Sequence, residues 1–526
     1  MKLRILKLFL AACLAGSYSV ALAQLNRITI AMEAEPNSLD PGTYNGVNAE
    51  RVIRRVFEGL TAIEPGGTDV VPALAESWEI SDDGLTYTFH LRSGVLFHDG
   101  TPLTAEAVAF SLERTIKEDH PLYGTATWGY SPVWLGGIAD TEALDDLTLR
   151  VTLEQPDASF LAKLTLPGSL IISPAAASAD PQNFARNPVG TGPFVFDHWE
   201  AGSNIVLKRF EDYWGDLDQP LEVVYRWIAE DQARLAALLA GEADLIVPVP
   251  ADFVPLLNAN PSVTVLQQPG IHIWYLGLNT ERGPTADVNV RKALAHAIDR
   301  TQITDHILNG TAILADSPLV PDSWAYEENV TRYEYDVERA RELLAQAGWT
   351  DSDGDGLLDK DGEVLTLSFW MPASGSGMQK PVEMSTFIAD EWRELGIRIE
   401  TQVLEWGSYL QSLRSGEFHV FANSFMPETV DPDVTFSFLY ASSSIPSPNR
   451  MRFSDPRVDE LIELGRTTID QAARAEYYRE ALRIITDQAP TILIDHDVQT
   501  VATRAGIEGI QLHTTYDVGV ETARER

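Results

Sequence analysis

The chain has 526 residues, with 39 Lys and Arg against 77 Asp and Glu, so its formal net charge is −38. This length exceeds the roughly 250–300 residues at which single cores stop growing, so we expect more than one compact region. The hydrophobic fraction of 44% excludes an acidic disordered chain. The charge argues against partners such as nucleic acid or anionic lipid, because both require a basic face.

The amino terminus has the pattern of an export signal. Three basic residues precede an apolar run from Leu8 to Ala23, which ends in the small-x-small cleavage pattern Ala21-Leu22-Ala23. The run is shorter than the roughly 20 residues needed to span a bilayer. We therefore expect residues 1–23 to be removed on export to the periplasm. The only cysteine, Cys13, stands in a lipoprotein-like box, but too close to the basic residues to favour lipidation.

The first half of the chain is predicted to be richer in strands than in helices. Alternating apolar residues predict strands at Arg27–Met32, Leu85–Leu91 and Leu147–Leu153. Asn48 and Thr104 are each expected to cap a helix.

Strands and helices alternate after Gly270, which is typical of a mixed α/β domain. Ile271 to Leu278 is an apolar strand, and Asp336 is expected to cap a helix. Asp455-Pro456 opens a further helix, with proline at the first helical position. The last long helix is predicted over Asp470 to Gln488, followed by an apolar segment, Thr491 to Ile494.

Signatures of common enzymes are missing from the sequence. It contains no phosphate-binding loop, no dinucleotide fingerprint, no nucleophile elbow and no His-Glu-x-x-His pattern. Paired carboxylates for glycoside hydrolysis remain open, since acids are abundant enough to lie close together by chance. The expectation is a protein that is not an enzyme.

One acidic segment resembles a calcium loop. Positions 1, 3, 5 and 9 of the loop pattern are carboxylates, and position 6 is glycine, which allows alternate side chains to converge on a hard cation. The acid expected at position 12 is replaced by Gly362 and comes one residue late, at Glu363. An acidic turn is the alternative to a structural calcium site. The candidate ligands are Asp351, Asp353, Asp355 and Asp359.

Aromatic residues near strand ends or in polar surroundings are candidates for a ligand cleft, because they give contact area at low entropic cost. A place in the core is the alternative for each one. These residues are Tyr44, Trp128, Trp370, Trp406 and Phe425.

A collinear set of motifs resembles the family 5 extracellular solute-binding proteins, the dipeptide-, oligopeptide- and nickel-binding components of ATP-driven importers. The longest is VVPALAESWEISDDGLTYTFHLRSGVLFHDGTPLTAEAVAFSLERT at Val70–Thr115. The others are SLDP at Ser38–Pro41, FEGL at Phe57–Leu60, VGTGPF at Val189–Phe194, FEDYWG at Phe210–Gly215, LAGEADL at Leu239–Leu245, VRKALAHAIDR at Val290–Arg300 and DSDGDGLLDKDG at Asp351–Gly362.

The resemblance implies an α/β, two-lobed periplasmic-binding-protein fold of type II, enlarged by an extra subdomain, with the ligand cleft between the lobes. Trp274–Leu278 and Thr491–Ile494 are the candidate crossing strands. The implied boundaries are residues 24–60 for the first part of lobe I, 61–187 for its inserted subdomain, 188–270 for its second part, 271–490 for lobe II and 491–526 for the return to lobe I.

The resemblance also implies how a peptide is held. Peptide binders of the family place an acid before an Asp-Pro-Asp segment, where it binds the peptide amino group. Counting back from Asp431-Pro432-Asp433 places Glu428 at that position. The main chain of Asn423, Ser424, Phe425 and Met426 is then expected to pair with the ligand as an added strand.

The arginine that binds the carboxylate in dipeptide binders is missing. Gly375 takes its place in FWMPASGSGMQK, and the next cation is Lys380. An oligopeptide or modified peptide is therefore preferred to a strict dipeptide. The alternatives are an oligosaccharide or opine-like conjugate, and a nickel chelate held by His272 and His419. A secreted enzyme or chaperone is the remaining alternative, and it belongs to a different functional class.

Partners follow from the same resemblance. They are a small-molecule ligand and the permease and ATPase subunits of an ABC importer, with no nucleic acid. We expect a monomer without a cofactor, apart from the structural calcium.

Overall fold

The computed structural model describes residues 25–44, 46–125, 129, 131–215, 220–375 and 377–526. The predicted export signal, Cys13 and Trp128 lie outside this part of the chain. Within it, no helix is both long and apolar enough to cross a membrane.

The chain starts with one strand and one helix of the main body and then builds a smaller unit. The first two elements are β1 (Arg27–Met32) and α1 (Val47–Val56). The smaller unit contains β2 (Thr61–Ile63), β3 (Val70–Pro72), β4 (Ala75–Ile80), β5 (Thr86–Leu91), α2 (Ala105–Glu113), α3 (Ser131–Leu135), β6 (Ile138–Asp145), β7 (Thr148–Leu153), α4 (Phe160–Lys163) and α5 (Pro174–Ala179). Its antiparallel sheet has the order β4-β5-β7-β6 and a core of its own.

The chain then returns to the main body. This part contains β8 (Phe194–Glu200), β9 (Asn204–Arg209), β10 (Glu222–Trp227), α6 (Asp231–Leu239), β11 (Leu245–Ile246), α7 (Val254–Asn258) and the long β12 (Val263–Leu278).

Helices dominate the next part of the chain. Its elements are α8 (Val288–His296), α9 (Arg300–Gln302), β13 (Ala312–Leu314), α10 (Val337–Gln346), β14 (Asp359–Lys360), β15 (Glu363–Val364), β16 (Thr366–Pro372), α11 (Pro381–Glu394), β17 (Arg398–Leu404), α12 (Trp406–Leu413), β18 (Val420–Phe425), α13 (Pro432–Leu439), α14 (Pro456–Thr467) and α15 (Gln471–Gln488). The chain ends with β19 (Thr491–Arg504), β20 (Ile507–Glu508), β21 (Gln511–Leu512), β22 (Val518–Gly519) and β23 (Arg524–Glu525).

One mixed sheet runs through both halves of the molecule, in the order β17-β16-β18-β12-β19-β11-β1-β10-β9-β8, with β13 added beside β19. We call the half built on β8–β11 and β1 the first lobe and the half built on β16–β18 the second lobe. In the second lobe, α8, α10 and α11 pack on one face of the sheet and α12–α15 on the other. This architecture confirms the predicted two-lobed α/β fold.

Strands β12 and β19 pair with each other and belong to both lobes. Val263–Pro269 pairs with the end of β19 in the first lobe, and Ile273–Gly277 pairs with its start in the second lobe. The register shifts between Pro269 and Ile273 and again at Trp274. The predicted lobe boundary at residues 490/491 does not coincide with the crossing. Strand β19 runs through the crossing without a break, so its first residues, from Thr491, still belong to the second lobe.

Short-range signals located several helix starts correctly. The Thr104 hydroxyl accepts a hydrogen bond from Ala107 N, Asp336 accepts one from Arg339 N, and Asp455 caps the helix that begins at Pro456. The prediction for Asn48 is wrong: α1 begins one residue earlier, and the Asn48 Oδ1 atom accepts a hydrogen bond from Arg51 Nη1 at 2.8 Å.

A buried ion pair fixes the segment between β18 and α13. Both Asp431 oxygens accept hydrogen bonds from Arg474 of α15, at 2.7 and 2.9 Å, and both side chains are about 95% buried. Asp431 also caps α13 by accepting from Asp433 N. Arg474 Nη1 reaches the carbonyl of Ala158 in the smaller unit at 3.3 Å. The pair therefore links the segment to both the second-lobe core and the opposite lobe.

We predict that Arg474→Leu lowers the free energy of unfolding by about 3–5 kcal/mol, because it leaves Asp431 as a buried charge without a partner. Urea denaturation followed by circular dichroism measures this loss. The exposed pair Arg339–Glu342, joined at 2.8 Å, provides the control: Glu342→Gln should change stability by less than about 1 kcal/mol. Equal losses in the two variants would contradict the role assigned to Asp431.

Candidate functional site

A narrow cavity lies between the lobes. Tyr44 and the α1 residues Glu50 and Arg54 line it from the first lobe, and Met426 and Glu428 line it from the second. The remaining lining residues are Ile63, Thr165, Leu166, Pro167, Ile271, Pro427 and Thr515. Because both lobes contribute, this space is complete only when the lobes are closed. We call it the Glu428 cavity.

Glu428 is an acid without a cationic partner. No hydrogen bond or ion pair joins it to any other residue in the part of the chain that the structure describes. Burial raises the pKa of its carboxyl group to about 7, and the negative charge of Glu50 contributes to the same shift. A ligand ammonium would supply the missing positive charge.

The cation nearest in the lining set, Arg54, is already occupied. Its guanidinium lies 2.7 Å from Glu50 Oε1 in an i,i+4 pair on α1, and it also donates to the Thr165 carbonyl at 3.1 Å. The Arg54–Glu50 pair is therefore internally neutral and leaves the charge of Glu428 uncompensated.

The predicted ligand-pairing segment lies on β18 and just beyond its end. Residues 423–425 pair with Ile273–Tyr275 of β12 along one edge. Along the other edge β16 pairs only with Val420 and Phe421, so among the described strands none covers the edge from Asn423 onwards. The Asn423 side chain points to the Tyr275 hydroxyl at 3.2 Å. The main chain of this segment is therefore open to pairing along that edge.

The predicted aromatic residues have different surroundings. Tyr44 lines the Glu428 cavity, whereas Phe425 lies 5.9 Å from Phe438 in ring-centroid distance. Trp370 packs on Phe418 and Trp406 on Tyr409 at the second-lobe core, so neither lies in the Glu428 cavity. A role for Trp370 and Trp406 elsewhere in the cleft stays a prediction.

The position of the missing arginine is closed to any side chain. Gly375 has φ +111°, and a Cβ atom added there would lie 2.8 Å from the Trp406 ring. Lys380 does not replace the arginine, because its Nζ atom donates to Asp252 Oδ1 at 2.7 Å and to the Ile307 carbonyl at 3.0 Å. Lys380 thus joins the second lobe to the first.

The calcium-like loop brings three of its four predicted ligands together. The carboxylates of Asp351, Asp353 and Asp355 each offer an oxygen within 4.8 Å of the others, and all three residues are exposed. Asp359 is a correction: it is not in this group, and its carboxylate accepts hydrogen bonds from Ser352 N and Oγ at 2.9 and 2.7 Å.

The two histidines considered for nickel have separate surroundings. His419 Nδ1 accepts a hydrogen bond from Ser368 N at 3.0 Å, next to the start of β18. His272 lies in the crossing segment of β12 and faces Tyr516 at 6.2 Å between ring centroids. The two rings therefore have different neighbours, and the nickel alternative stays untested.

Sequence reasoning missed two parts of the cleft. Glu50 and Arg54 follow the pattern of an ordinary amphipathic helix, and no local signal marks them. Asp495 and Asp497 lie beside a second cavity, together with Trp274. They interrupt the apolar run TILIDHDV at the start of β19, and an acid at such a position is a signal that could have found them.

The sequence was compared with protein families and with known proteins, and the matches cover most of the chain. The profile of the bacterial extracellular solute-binding proteins, family 5 middle, matches residues 69–447. Heme-binding protein A of Haemophilus influenzae is 33% identical over 480 residues, covering 88% of this chain and 85% of the relative. Di/tripeptide-binding protein 1 of Pseudomonas aeruginosa is 30% identical over 526 residues, covering 95% and 96%.

A solved structure shares the whole architecture. The periplasmic binding protein DppA of Helicobacter pylori, in complex with the peptide STSA, has a TM-score of 0.74 and 29% identity, covering 96% of this chain and 98% of that one. The match extends over both lobes and the smaller unit. These findings confirm the resemblance deduced from the motifs: the chain belongs to the bacterial extracellular solute-binding proteins of family 5.

Proposed function

We propose that this protein captures a peptide or peptide-like solute carrying a cationic amine, by closure of its lobes, and delivers it to the permease of an ABC importer. The observation that carries the proposal is Glu428, a partly buried carboxylate in the interlobe cavity with no cationic partner among the described residues. A ligand ammonium would pair with it as a charge-assisted hydrogen bond.

Lobe closure explains how such a ligand is selected. A solute in the Glu428 cavity touches α1 of the first lobe and the Met426–Glu428 segment of the second lobe at once. It therefore stabilises the closed state over the open one, which is the requirement for a ligand-driven change. The closed arrangement also has contacts of its own, including Lys380 with Asp252 and Ala158 N with the Arg466 carbonyl at 2.9 Å.

A peptide backbone suits the uncovered edge of β18. An extended peptide placed there would continue the sheet beyond Asn423, with its amino terminus directed to Glu428. The names of the relatives support this class of ligand, since they include a di/tripeptide-binding protein and a complex with a tetrapeptide. The closed position at Gly375 supports an oligopeptide or modified peptide over a dipeptide gripped at its carboxylate.

A non-peptide solute, such as an oligosaccharide or opine-like conjugate, is the second candidate. Gly375 favours it, because no side chain at that position binds a carboxylate. The heme-binding relative supports a broader range of ligands within the family. The transport role is the same in either case.

The remaining expectations belong to this proposal. The protein would be exported to the periplasm with cleavage near Ala23, act as a monomer, bind its ligand without chemical conversion, and leave ATP hydrolysis to its partner subunits. Turnover of a bound ligand would instead support the enzyme alternative.

We predict that Glu428→Gln weakens binding of an amine-bearing peptide by about 1.5–3 kcal/mol, because it removes a charged hydrogen bond. Isothermal titration calorimetry with a free and an N-acetylated form of one peptide measures this. The matched control is Glu391→Gln: Glu391 also has a pKa raised to about 7 by burial, but it lies on α11 and accepts from Asp299 N, outside the cavity. An unchanged dissociation constant for the Glu428 variant would refute the assignment.

Binding should also depend on pH in a defined direction. The pKa of Glu428 is about 7 in the ligand-free protein, and an ammonium partner lowers it, so binding releases a proton at acidic pH. We expect the affinity for a peptide with a free amine to rise between pH 5.5 and 7.5, by up to about tenfold per pH unit below 7. Glu428→Gln should flatten this profile. The same slope in wild type and variant would assign the proton to another group.

Calcium binding by the Asp351–Asp359 loop stays a prediction of the sequence. The carboxylates already accept hydrogen bonds within the loop, for example Asp351 from Gly354 N at 2.8 Å, so a cation must replace these bonds. We expect a weak site, with a dissociation constant of about 10⁻⁴–10⁻³ M. Calcium chloride added to chelator-treated protein should raise the melting temperature in wild type but not in Asp353→Asn. Absence of any calorimetric heat would exclude the site.

A further inference from the structure

A second, small cavity lies beside the crossing of β12 and β19. Its polar lining comes from three strands and from the segment before α11. We call it the Asp495 cavity. Its lining residues are His272, Ile273, Trp274, Leu308, Gly377, Met378, Gln379, Met384, Ser424, Asp495 and Asp497.

Three of these residues form one row across the sheet. Trp274 is the register partner of Ser424 on β18 and of Asp495 on β19. Directly paired residues place their side chains on the same face of a sheet, so the three side chains lie next to one another. The shift of register at Trp274 occurs at this row.

Two atoms of the row lack hydrogen-bond partners. Trp274 and Asp495 are each 3% exposed, and neither Trp274 Nε1 nor Asp495 Oδ2 has a partner among the described residues. One of these atoms is a donor and the other an acceptor. A buried polar atom without a partner destabilises a fold by about 1–3 kcal/mol. Their presence together in one cavity points to a ligand that satisfies both.

Two acids, Asp495 and Asp497, line the cavity. Asp497 accepts a hydrogen bond from Gln379 Nε2 at 2.9 Å, and burial raises the pKa of both Asp495 and Asp497. Among the residues that the structure describes, no lysine or arginine lines the cavity. Lys380, next to Gln379, is held by Asp252. His272 on β12 also faces these acids. Its interaction with Asp497 opposes part of the rise in pKa that burial causes.

The Asp495 cavity and the Glu428 cavity follow one another along the same strands. On β12, Ile271 lines the Glu428 cavity and the next residue, His272, lines the Asp495 cavity. On and just beyond β18, Ser424 lines the Asp495 cavity and Met426 lines the Glu428 cavity. Two residues of a strand span about 7 Å. A single extended solute is long enough to reach both.

We infer that the Asp495 cavity binds a second ammonium group of the transported solute, such as a lysine side chain, whose partner is Asp495, with the Trp274 indole N–H donating to a neighbouring ligand oxygen. This rests on the proposed function, in which the first amine of the solute binds Glu428. The chemical class is a solute with two separated cationic amines.

The test compares peptides that differ only in one charge. Tripeptides with a free amino terminus carry either lysine or norleucine at the second or third position, and calorimetry measures their dissociation constants for the full-length mature protein. Wild type should bind the better lysine peptide at least tenfold more tightly than its norleucine partner. Asp495→Asn should reduce this preference below twofold. Trp274→Phe should weaken the lysine peptide and keep the preference, and Glu391→Gln should change neither quantity.

A second arm does not depend on peptide binding. Thermal unfolding is followed with 1,5-diaminopentane, with 1-aminopentane and with potassium chloride, each at the same ionic strength. The diamine should stabilise wild type more than the monoamine does, and Asp495→Asn should abolish the difference. If no peptide binds, the proposed function is refuted. The diamine experiment then still decides whether the Asp495 cavity binds an ammonium group.

Three results would overturn the inference. The first is peptide binding with equal affinity for lysine and norleucine at both positions, which would leave the proposed function intact. The second is a lysine preference that survives in Asp495→Asn. The third is stabilisation by potassium ions equal to that by the diamine, which would identify a free monovalent cation as the occupant.

Discussion

The antiparallel pairing of β12 with β19 is the constraint on which the rest of the structure depends. The two strands extend over 16 and 14 residues, and they place two lobes on one sheet. Their pairing is regular within each lobe and shifts register between Pro269 and Ile273, where the lobes meet. A ladder that is interrupted at one place bends there most easily, because fewer backbone hydrogen bonds oppose the motion. Ile271 and His272 lie within this interruption, and each lines one of the two cavities. The segment where the ladder bends therefore also contributes to the candidate site.

The buried pair of Asp431 and Arg474 has a complementary effect. It holds the segment that carries Glu428 against the second-lobe core, and it also reaches the Ala158 carbonyl across the cleft. Isolated buried ion pairs add little to stability, since desolvation of the two charges offsets their attraction. Their value is geometric, because a bidentate pair permits only one arrangement of the loop. Asp431 thus positions Glu428, the acid proposed to bind the ligand.

Local features of the sequence predicted several of the helices and strands. Caps such as Thr104 and Asp336 act over three residues, so they are readable without a fold, and the strand alternation at Leu85–Leu91 and Leu147–Leu153 correctly identified two neighbouring strands. The failures have two causes, a competing local partner and packing against residues distant in sequence. The Asn48 side chain has a competing partner, Arg51, and the packing of Trp370 depends on Phe418, which is distant in sequence.

The candidate site was only partly predictable for the same reason. Glu428 was found through the family motifs, and its relation to Tyr44 required the closed arrangement of two lobes. Lys380 is the next cation after Gly375 in the sequence, and its partner Asp252 comes from the other lobe. Asp495 is an acid within an apolar strand, which marks it as unusual in the sequence. Its place beside residues of β12 and β18 could be known only from the fold.

The net charge of −38 gains a more specific interpretation from these positions. Many surface acids pair with arginines one helical turn away, as Glu338 does with Arg341, and such exposed pairs contribute little free energy. Salt screens their field beyond about 8–10 Å. Glu428 and Asp495 are different, because they are removed from water without a cation among the described residues. In the proposed function, a cationic solute would stabilise the closed state in two ways, through its contacts with both lobes and through the positive charge that it supplies to Glu428.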